Sequence, residues 1–395
     1  MGYGYSSVSF QAVAWTVRSL HASARSTKAI LIMKILILGN ANSIHIQRWV
    51  EAVSERGHST TIVSQDRAPD WTCPTQVDLR YLPHSGNIGY FLNAIALRGI
   101  LRDIRPDIMN AHYASGYGTT AGICGFTPTL LSVWGSDVYD FPNESAMKRR
   151  LLIWNLRRAT RISSTSEVMA RQVGRLAPEL PPPYIAPFGV DTKKFAPAAT
   201  DHNHANQIVI GTVKRLAHKY GIDLLIRAYA QLLIDPVVRD AGLSNKLHLR
   251  IVGTGPDRLL LEALAVKEGV SNRVEFVGAV PHSRVPEMLQ GFDVYVAASR
   301  LDSESFGVAV VEASACGVPV VVTDVDGLSE VVEQDRTGFI VPREDVGSLA
   351  SAMKSLILSA PLRRRLGQGG RASVRRRYDW DASVTRMIEC YEQVR

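Results

Sequence analysis

Cysteines and long apolar runs are scarce in this sequence. Its 395 residues include only four cysteines, Cys73, Cys124, Cys316 and Cys390, and no two of them have the spacing of a zinc site or a redox motif. A disulfide framework is therefore not expected, and the composition suits a reducing, cytoplasmic environment. No run of about eighteen apolar residues occurs, so the sequence predicts no transmembrane helix.

Acidic side chains are absent from the first 32 residues, which are rich in serine and alanine. Such a composition is compatible with a transit peptide, but no basic stretch precedes an apolar core, as a signal peptide would require. We expect residues 1–32 to be a poorly ordered extension and the folded protein to begin near Met33.

Positive charge is in excess and is unevenly distributed. The chain carries 45 lysines and arginines against 37 acidic residues, a net charge of +8. Much of the excess lies in residues 147–161 (MKRRLLIWNLRRATR) and 363–378 (RRRLGQGGRASVRRRY). Such clusters bind nucleic acid, anionic membranes or acidic substrates, and they also occur as solvated helix faces. The first cluster mixes apolar with basic residues, which suits either an anionic membrane surface or an internal helix.

Strand and helix patterns alternate along the chain from Met33 onward. The apolar run ILIL, the helical pattern HIQRWVEAVSERGH and the apolar run TTIVS predict a β-α-β unit of a parallel sheet. The alternation is interrupted by residues 181–200 (PPPYIAPFGVDTKKFAPAAT), whose prolines and small residues indicate a connector. It restarts at QIVIGTVKRL, so a second α/β domain follows the first.

The predicted fold is therefore α/β, with two doubly wound, Rossmann-like domains that face a cleft. A chain of this length suits two domains. We place the first domain at residues 33–195, the second at 196–374, and a C-terminal helix that crosses back to the first domain at 375–395. Ligands of such sheets bind at the carboxyl ends of the strands.

Two glutamates stand eight positions apart in SESFGVAVVEASACGVPV, a segment otherwise made of small and apolar residues. FGVAVVEASACG predicts a helix whose first turn lies near Phe306 and Gly307. Its unpaired N–H groups suit a phosphate, and Gly307 permits close approach. Glu304 would precede the helix and Glu312 would lie over a turn inside it, where both accept hydrogen bonds from sugar or ribose hydroxyls.

Residues 303–342 (SESFGVAVVEASACGVPVVVTDVDGLSEVVEQDRTGFIVP) resemble the signature of the family-4, or group 1, glycosyltransferases, which are retaining enzymes of the GT-B fold. The resemblance extends over nearly all of residues 33–394, through FGVDTKKF, GTVKRLAHKYGIDLLIRAYA and IVGTGPDR. It implies that Glu312 binds the ribose of a nucleotide sugar and that Glu304 binds the transferred sugar. The donor-binding residues that it implies are Gly39, Arg215, Lys219, Glu304, Ser305, Phe306, Gly307, Val308 and Glu312.

The family also uses an arginine and a lysine, five residues apart, to neutralise the leaving diphosphate. KRLAHKYG places Arg215 at the arginine position but Tyr220 at the lysine position, whereas Lys214 and Lys219 keep the spacing. We predict that Arg215 and Lys219, with Glu304, form the catalytic set, because cations there stabilise the developing charge. A basic pair can replace a metal ion, so we expect no metal and no cofactor besides a UDP-sugar or GDP-sugar donor.

Two further motifs resemble ligand-binding sequences, but we do not expect them to bind a metal ion or NAD. DVD (Asp324 to Asp326) imitates the Asp-x-Asp metal motif of another glycosyltransferase fold, but here it follows a predicted strand and fits a loop turn better. VGTGPDR is rich in glycine but lacks the full dinucleotide fingerprint, so NAD binding is not expected.

The resemblance assigns the acceptor to the first domain. Gly39 begins the loop GNANS, where the family often has paired glycines, and His45 opens the following helix. His112 ends a predicted strand, and VWGSD places Trp134 where many relatives have a sugar-binding histidine, followed by a matching Asp137. We predict that His45, His112, Trp134 and Asp137 face the acceptor or sugar, although a structural role for His112 is an equal alternative.

The sequence thus predicts a cytoplasmic retaining glycosyltransferase, placed at the inner face of the cell membrane if the basic helix binds lipid. It would transfer a sugar to a saccharide or lipid-linked acceptor in the biosynthesis of lipopolysaccharide, capsule or exopolysaccharide, and it would not bind nucleic acid. A nucleotide-sugar epimerase of the same fold and a non-catalytic sugar-nucleotide binder are the alternatives. The epimerase requires acid/base residues that are not recognisable here, and the presence of Glu304, Glu312 and Arg215 together opposes the binder.

Overall fold

The computed structural model describes residues 32–198 and 207–395, so the expectation for residues 1–32 lies outside the described residues except at Ile32. The strands are β1 (Lys34–Leu38), β2 (Ser59–Ser64), β3 (Val77–Tyr81), β4 (Ile108–His112), β5 (Thr129–Val133), β6 (Arg161–Ser164), β7 (Tyr184–Ile185), β8 (Ile208–Val213), β9 (Leu247–Val252), β10 (Val274–Gly278), β11 (Val294–Ala297), β12 (Val320–Thr323) and β13 (Gly338–Val341).

The helices of the first domain are α1 (Ile44–Glu55), α2 (Gly86–Ile104), α3 (Tyr117–Cys124), α4 (Ser136–Tyr139), α5 (Phe141–Glu144), α6 (Ala146–Arg158) and α7 (Glu167–Leu176). Those that follow are α8 (Ile222–Ile234), α9 (Pro236–Asp240), α10 (Arg258–Lys267), α11 (Val285–Gln290), α12 (Val308–Ala315), α13 (Asp326–Val331), α14 (Val346–Leu358), α15 (Ala360–Arg377) and α16 (Trp380–Val394). Among the described residues, no helix combines the length and apolar character needed to cross a bilayer.

Both sheets are parallel. The first has the order β3-β2-β1-β4-β5-β6-β7, and the second has the order β10-β9-β8-β11-β12-β13. In each sheet the order reverses beside the first strand of the domain, between β1 and β4 and between β8 and β11. Such a switch point opens a crevice at the carboxyl ends of the strands. The predicted fold class, two Rossmann-like domains, is confirmed.

Helices cover both faces of each sheet, because the strand side chains are apolar on both sides. In β1, Leu36 and Leu38 belong to the core on one face, whereas Ile35 and Ile37 belong to the core on the other. Helix α1 adds one buried side, which includes Trp49, because its apolar residues recur at helical spacing. The β-α-β unit read from the sequence therefore forms as expected.

The proline-rich connector contributes to both domains. Strand β7 lies within it and pairs with β6, which the proline pattern alone did not predict. A few residues later, Phe188, Val190 and Phe195 pack into the core on one face of the second sheet. The connector is therefore ordered on both sides of Gly189.

The chain crosses back to the first domain after Tyr378. The predicted boundary between residues 374 and 375 falls inside α15, because Val374 is still buried in the second domain and the helix continues to Arg377. Helix α16 then packs on the first domain, where Tyr391 Oη donates a hydrogen bond to Asn110 Oδ1 at 2.8 Å. The chain therefore passes between the domains twice, once near Val190 and once near Tyr378. These two crossings are hydrogen-bonded to each other, since Val190 N donates to Tyr378 O at 2.8 Å.

Candidate active site

A cleft of about 720 Å³ lies between the two domains, at the carboxyl ends of both sets of strands. The side of the first domain and the connector contributes Ile44, His45, Tyr113, Trp134, Ser136 and Phe188. The second domain contributes, among others, Lys214, Arg215, Lys219, Tyr220, His282, Ser303, Glu304, Ser305, Phe306, Gly307, Val308 and Glu312. The cleft therefore brings together most of the residues that the sequence singled out.

The N-terminus of α12 opens into this cleft. Gly307 precedes the helix with a φ of +72°, in the left-handed region that favours glycine. A Cβ at this position would lie 2.6 Å from Leu328 Cδ2, so any side chain would also clash. The preceding loop is fixed from the other domain, because Ser166 Oγ donates to Ser305 O at 2.8 Å and Ser305 Oγ donates to Trp134 O at 3.1 Å.

Glu304 forms a nearly buried ion pair on the floor of the cleft. Lys214 Nζ lies 2.6 Å from Glu304 Oε1, and the two side chains are 8% and 11% exposed. Lys219 lies close by, with Nζ 3.4 Å from Ser303 Oγ. Arg215, in contrast, is exposed at the cleft surface. Lys214 thus pairs directly with the carboxylate at the start of α12, and Lys219 and Arg215 add positive charge to the same cleft.

The ring of Tyr220 lies beside two of these cations. Lys214 Nζ is 5.3 Å and Lys219 Nζ is 5.1 Å from its centroid, within the range of cation–π attraction. Burial and the nearby Glu304 raise the pKa of Tyr220 to about 12, so the phenol stays neutral at physiological pH. The residue at the family's lysine position therefore holds an aromatic face against both lysines.

Glu312 pairs with a histidine that the sequence did not single out. His282 Nε2 lies 2.9 Å from Glu312 Oε1, and the carboxylate side chain is only 5% exposed. The imidazole of His282 also packs against Phe195, with ring centroids 5.6 Å apart. The only available signal in the sequence was its position in the loop after a predicted strand, and that does not specify the partner.

Aromatic rings form the opposite wall of the cleft. His45 stacks on Phe188 with a centroid distance of 4.4 Å, and it meets Trp134 edge-on at 5.7 Å. Burial, followed by the charges of Arg48 and His282, lowers the pKa of His45 to about 4. His45 is therefore neutral near pH 7, with one ring nitrogen as a hydrogen-bond donor and the other as an acceptor.

Three predicted residues do not line the cleft. Gly39 packs against the next helix, where a Cβ would lie 2.7 Å from Ile46 Cδ1. His112 is 1% exposed behind Trp134, and neither ring nitrogen has a hydrogen-bond partner among the described residues. Burial lowers the pKa of His112 to about 3. The structure thus places Gly39 and His112 beneath the cleft wall.

Asp137, the third of these residues, is fully buried under the loop that carries Trp134. Its carboxylate accepts hydrogen bonds from the backbone N–H groups of Ala114, Trp134 and Gly135 at 2.8, 3.1 and 2.8 Å. Burial raises the pKa of Asp137, and these three donors partly offset that effect. Its contacts fix the loop backbone and leave no oxygen facing the cleft.

The Asp-x-Asp sequence lies at the junction of β12 and α13, where an arginine binds its first aspartate. Asp324 accepts hydrogen bonds from Arg343 N and Nε at 2.9 and 3.0 Å, and Asp326 begins α13. Within residues 32–198 and 207–395, no group of three or more His, Cys, Asp or Glu side chains is arranged to hold a metal ion. Metal independence itself stays a prediction.

Two family models match this chain. One, described as glycosyl transferases group 1, matches residues 197–373, and the other, described as glycosyl transferase 4-like, matches residues 34–166. This chain belongs to the group 1 glycosyltransferases. The family resemblance identified from the glutamate signature is thereby confirmed, together with its GT-B fold.

Curated relatives of this glycosyltransferase match over part of their length. A phosphatidyl-myo-inositol mannosyltransferase of Mycobacterium leprae is 34% identical over 150 residues, which are 38% of this chain and 39% of the relative. A D-inositol 3-phosphate glycosyltransferase of Actinosynnema mirum is 30% identical over 253 residues, 60% of this chain and 58% of the relative. The chain therefore spans about half the length of these relatives.

Solved structures share the fold over nearly the whole described chain. A sucrose-phosphate synthase from Thermosynechococcus elongatus superposes with a TM-score of 0.79 at 20% identity, covering 91% of this chain and 98% of the other. Anabaena HepE in complex with UDP superposes with a TM-score of 0.76 at 19% identity, covering 91% and 100%. At these identities the likeness establishes the fold alone.

Proposed function

We propose that this glycosyltransferase moves a sugar, with retention of configuration, from a nucleoside-diphosphate sugar to a hydroxyl of a saccharide or lipid-linked acceptor. One observation carries the proposal. Two carboxylates, Glu304 and Glu312, flank the N-terminus of α12 in a cleft that also holds Lys214, Arg215 and Lys219. The carboxylates can accept hydrogen bonds from the hydroxyls of a sugar and a ribose, and the helix N-terminus and the cations can bind the diphosphate that joins them.

The donor is proposed to lie along the second domain. Glu312 would accept hydrogen bonds from the ribose hydroxyls. These hydroxyls would either replace His282 as the partner of the carboxylate or bind it together with His282. Ser305, Phe306, Gly307 and Val308 would present backbone N–H groups to the diphosphate and sugar. Glu304 would accept hydrogen bonds from the sugar, which lies next to the first domain.

The leaving diphosphate is proposed to be stabilised by the cluster of basic side chains. Charge develops on the departing phosphate oxygen, and preorganised cations in a water-poor cleft lower the barrier to its departure. Arg215 and Lys219 were predicted for this role, and Lys214, which pairs with Glu304, adds a third cation to the same cleft. Because these cations can balance the diphosphate, the proposed reaction needs no metal ion. The donor is proposed to be a UDP-sugar or a GDP-sugar.

The acceptor is proposed to enter over the aromatic wall. His45 and Trp134, backed by the buried Phe188, offer flat faces on which the ring of a sugar or cyclitol packs well. The names of the two sequence relatives contain phosphatidyl-myo-inositol and D-inositol 3-phosphate, so a polar cyclic alcohol is one acceptor class to test. The broader setting that we propose is the assembly of cell-surface glycans at the cytoplasmic side of the membrane.

The two alternatives predict different chemistry at this cleft. An epimerase of the same fold needs an acid and a base placed against the sugar carbon. The neutral His45 is stacked flat on Phe188, which is unfavourable for that role. A non-catalytic binder would not require the buried pair between Lys214 and Glu304. A sugar-nucleotide binder would use the same carboxylates and cations for affinity alone, so turnover distinguishes it from a transferase.

A ligand screen tests the proposal. The full chain is melted with UDP, GDP, ADP and their sugars without added metal. A ligand at about 100 times its dissociation constant adds about 2.7 kcal/mol of stability. We expect one nucleotide to raise the melting temperature, Glu312→Ala to abolish the shift, and the exposed-carboxylate control Glu262→Ala to retain it. The active donor is then incubated with candidate acceptors in excess chelator, and the anomeric configuration of the product is read by NMR.

The outcomes separate the candidates. Sugar transfer with retention supports the proposal, whereas inverted product contradicts the retaining assignment. Conversion of the donor to its epimer without an acceptor identifies the epimerase. A nucleotide shift with no turnover over a broad acceptor panel identifies the binder, and loss of activity in chelator contradicts metal independence.

A further inference from the structure

The first half of α2 exposes large apolar side chains to solvent. Ile88, Phe91, Leu92 and Ile95 are 71%, 49%, 50% and 77% exposed. Their spacing of three, four and seven residues places all four on one outward side of the helix. We call these four residues the α2 apolar face. Residues 86–97 (GNIGYFLNAIAL) contain no charged side chain at all.

This half of α2 is apolar on its inner side as well. Ala94 and Leu97 are buried in the core of the first domain. A surface helix of a globular protein normally has a polar outer side, and a helix that is apolar all round is normally covered. Four adjacent large apolar side chains left in water therefore indicate a surface that contacts something else.

The basic helix α6 differs from this pattern. Its predicted membrane face is largely internal, since Leu152 and Leu156 are buried and belong to the core. Met147 and Trp154 are its exposed large apolar residues. The burial of Leu152 and Leu156 therefore agrees with the internal-helix alternative for residues 147–161. Helix α6 contributes mainly charge to the surface.

Positive charge adjoins the α2 apolar face. The outward side of α2 continues with the exposed Arg98 and Arg102, and the exposed Arg149 and Arg150 lie on α6. Arg98 also donates hydrogen bonds to the carbonyl oxygens of Ile123 and Cys124, at the end of α3, at 2.6 and 3.1 Å. Helices α2 and α6 both pack against α3, so they belong to the same side of the first sheet. An apolar patch with arginines on its own helix and on the same side of the sheet is complementary to anionic headgroups above an acyl layer.

Acidic residues nearby do not cancel this charge. Asp103 on α2 and Asp78 on β3 share Arg80, at 2.6 and 2.7 Å, and Glu144 before α6 is paired with Lys148. These three acids therefore contact bases other than the four arginines named above. The positive charge of the four arginines is retained.

The α2 apolar face lies near the entrance of the cleft. A helix that follows a parallel strand starts at the carboxyl edge of the sheet, where the cleft is. On the inner side of the same helix, Tyr90 meets Tyr117 edge-on at 5.3 Å, at the start of α3. The loop before α3 carries Tyr113, which lines the cleft. A surface that bound α2 would therefore lie beside the side of the cleft assigned to the acceptor.

We propose that the α2 apolar face docks this protein on an anionic lipid bilayer, with Arg98, Arg102, Arg149 and Arg150 at the level of the headgroups. The apolar side chains enter the boundary between headgroups and acyl chains, and the arginines bind lipid phosphates. This inference does not depend on the identity of the sugar donor. It adds to the proposed function a reason why a lipid-linked acceptor can be reached.

Vesicle flotation of the full chain tests the inference. Vesicles contain phosphatidylglycerol and phosphatidylcholine in equal amounts, or phosphatidylcholine alone. We expect binding to the anionic vesicles to exceed binding to the neutral ones, and Phe91→Ser/Ile95→Ser to reduce the partition coefficient about tenfold or more. Arg149→Gln/Arg150→Gln is expected to reduce it by about fivefold per arginine, with smaller losses at high salt.

The control variant is Leu259→Ser/Leu260→Ser, which removes two equally exposed apolar side chains from α10 in the second domain. It is expected to bind vesicles as the unchanged protein does. All variants are checked for the nucleotide-induced thermal shift, so that misfolding or failure of the donor site is seen separately from loss of lipid binding.

Three results would overturn the inference. The unchanged chain fails to float with anionic vesicles, or Phe91→Ser/Ile95→Ser floats as well as the control. In the third result, Phe91→Ser/Ile95→Ser converts a dimer to a monomer in light scattering without changing vesicle binding, which identifies the α2 apolar face as a contact between two copies of the chain.

Discussion

Lys214 Nζ lies 2.6 Å from Glu304 Oε1, and both charged side chains are almost withdrawn from solvent. Such a pair is favourable only while both members are present, because each would otherwise be a buried and uncompensated charge. Its position at the start of α12 means that a bound sugar diphosphate would meet a carboxylate already held in place. The ion pair thus links the stability of the second domain to the geometry of the proposed donor site.

Removal of the lysine is expected to be costly by itself. Lys214→Met leaves the Glu304 carboxylate buried without a cation, and we expect the free energy of unfolding to fall by about 3 kcal/mol. Adding Glu304→Gln should recover most of this loss, as measured by urea denaturation of the four proteins of a double-mutant cycle. Lys148→Met, from an exposed ion pair, is the control with little effect. Additive losses at positions 214 and 304 would show that the two residues do not interact.

The exposed base at the cleft is expected to act on turnover. Arg215→Ala should lower kcat about 10²-fold with a smaller change in nucleotide affinity, because the charge that it stabilises develops during the reaction. Steady-state kinetics and calorimetric titration of the nucleoside diphosphate measure the two effects. Arg227→Ala, an exposed arginine on α8, is the control. Near-normal turnover of Arg215→Ala would assign the leaving-group role to Lys214 and Lys219 alone.

Acid stability should depend on His112. Burial lowers the pKa of this histidine from 6.5 to about 3, so between these values the unfolded chain binds a proton that the folded chain does not. Stability is therefore lost as the pH falls from 6.5, by about 2 kcal/mol at pH 5 from this residue. We expect His112→Phe to remove that part of the loss in urea titrations at pH 8, 6.5 and 5.

The matched control for this pH dependence is the exposed His84. His84→Gln also removes one imidazole, so its stability is measured beside that of His112→Phe at the same three pH values. His45 acts in the same direction as His112, since its pKa is lowered to about 4, so some acid sensitivity is expected to persist in His112→Phe. An unchanged slope in His112→Phe would mean that this imidazole is protonated in the folded state.

Asp137 is expected to act through the loop backbone. Asp137→Ala leaves the N–H groups of Ala114, Trp134 and Gly135 without an acceptor, which should lower the free energy of unfolding by about 3 kcal/mol. Thermal melting measures this loss, and Asp140→Ala is the nearby control. An unchanged melting temperature with reduced turnover would instead support direct contact of Asp137 with the sugar.

Periodicity allowed much of the fold to be predicted. Helix α1 and the small-residue helix α12 were expected from spacing and from Gly307, and both occur. Strand β3 was not expected, because VDLRY mixes apolar with charged side chains at the edge of the sheet. Strand β7 was hidden by its prolines, since two paired residues have no periodicity to detect.

The site was harder to predict where tertiary packing decides the partner. Glu304 and Glu312 were found because they share one local segment with a strong pattern. His282 reaches Glu312 only because the loop after β10 packs against α12, 30 residues further along the chain. Lys214 and Arg215 are neighbours in sequence, and the backbone path at the end of β8 determines which of them reaches Glu304. No pattern in the local sequence specifies which of the two side chains contacts Glu304.

The pairing of the two crossings has a consequence for engineering this enzyme. Since α16 completes the first domain and Val190 is hydrogen-bonded to Tyr378 and Trp380, the second domain is an insertion within the first. A chimera that exchanges the donor specificity should therefore be joined at two sites, near Val190 and near Asp379. A hybrid made with a single junction would give the first domain a foreign C-terminal helix and lose the contact between Tyr391 and Asn110.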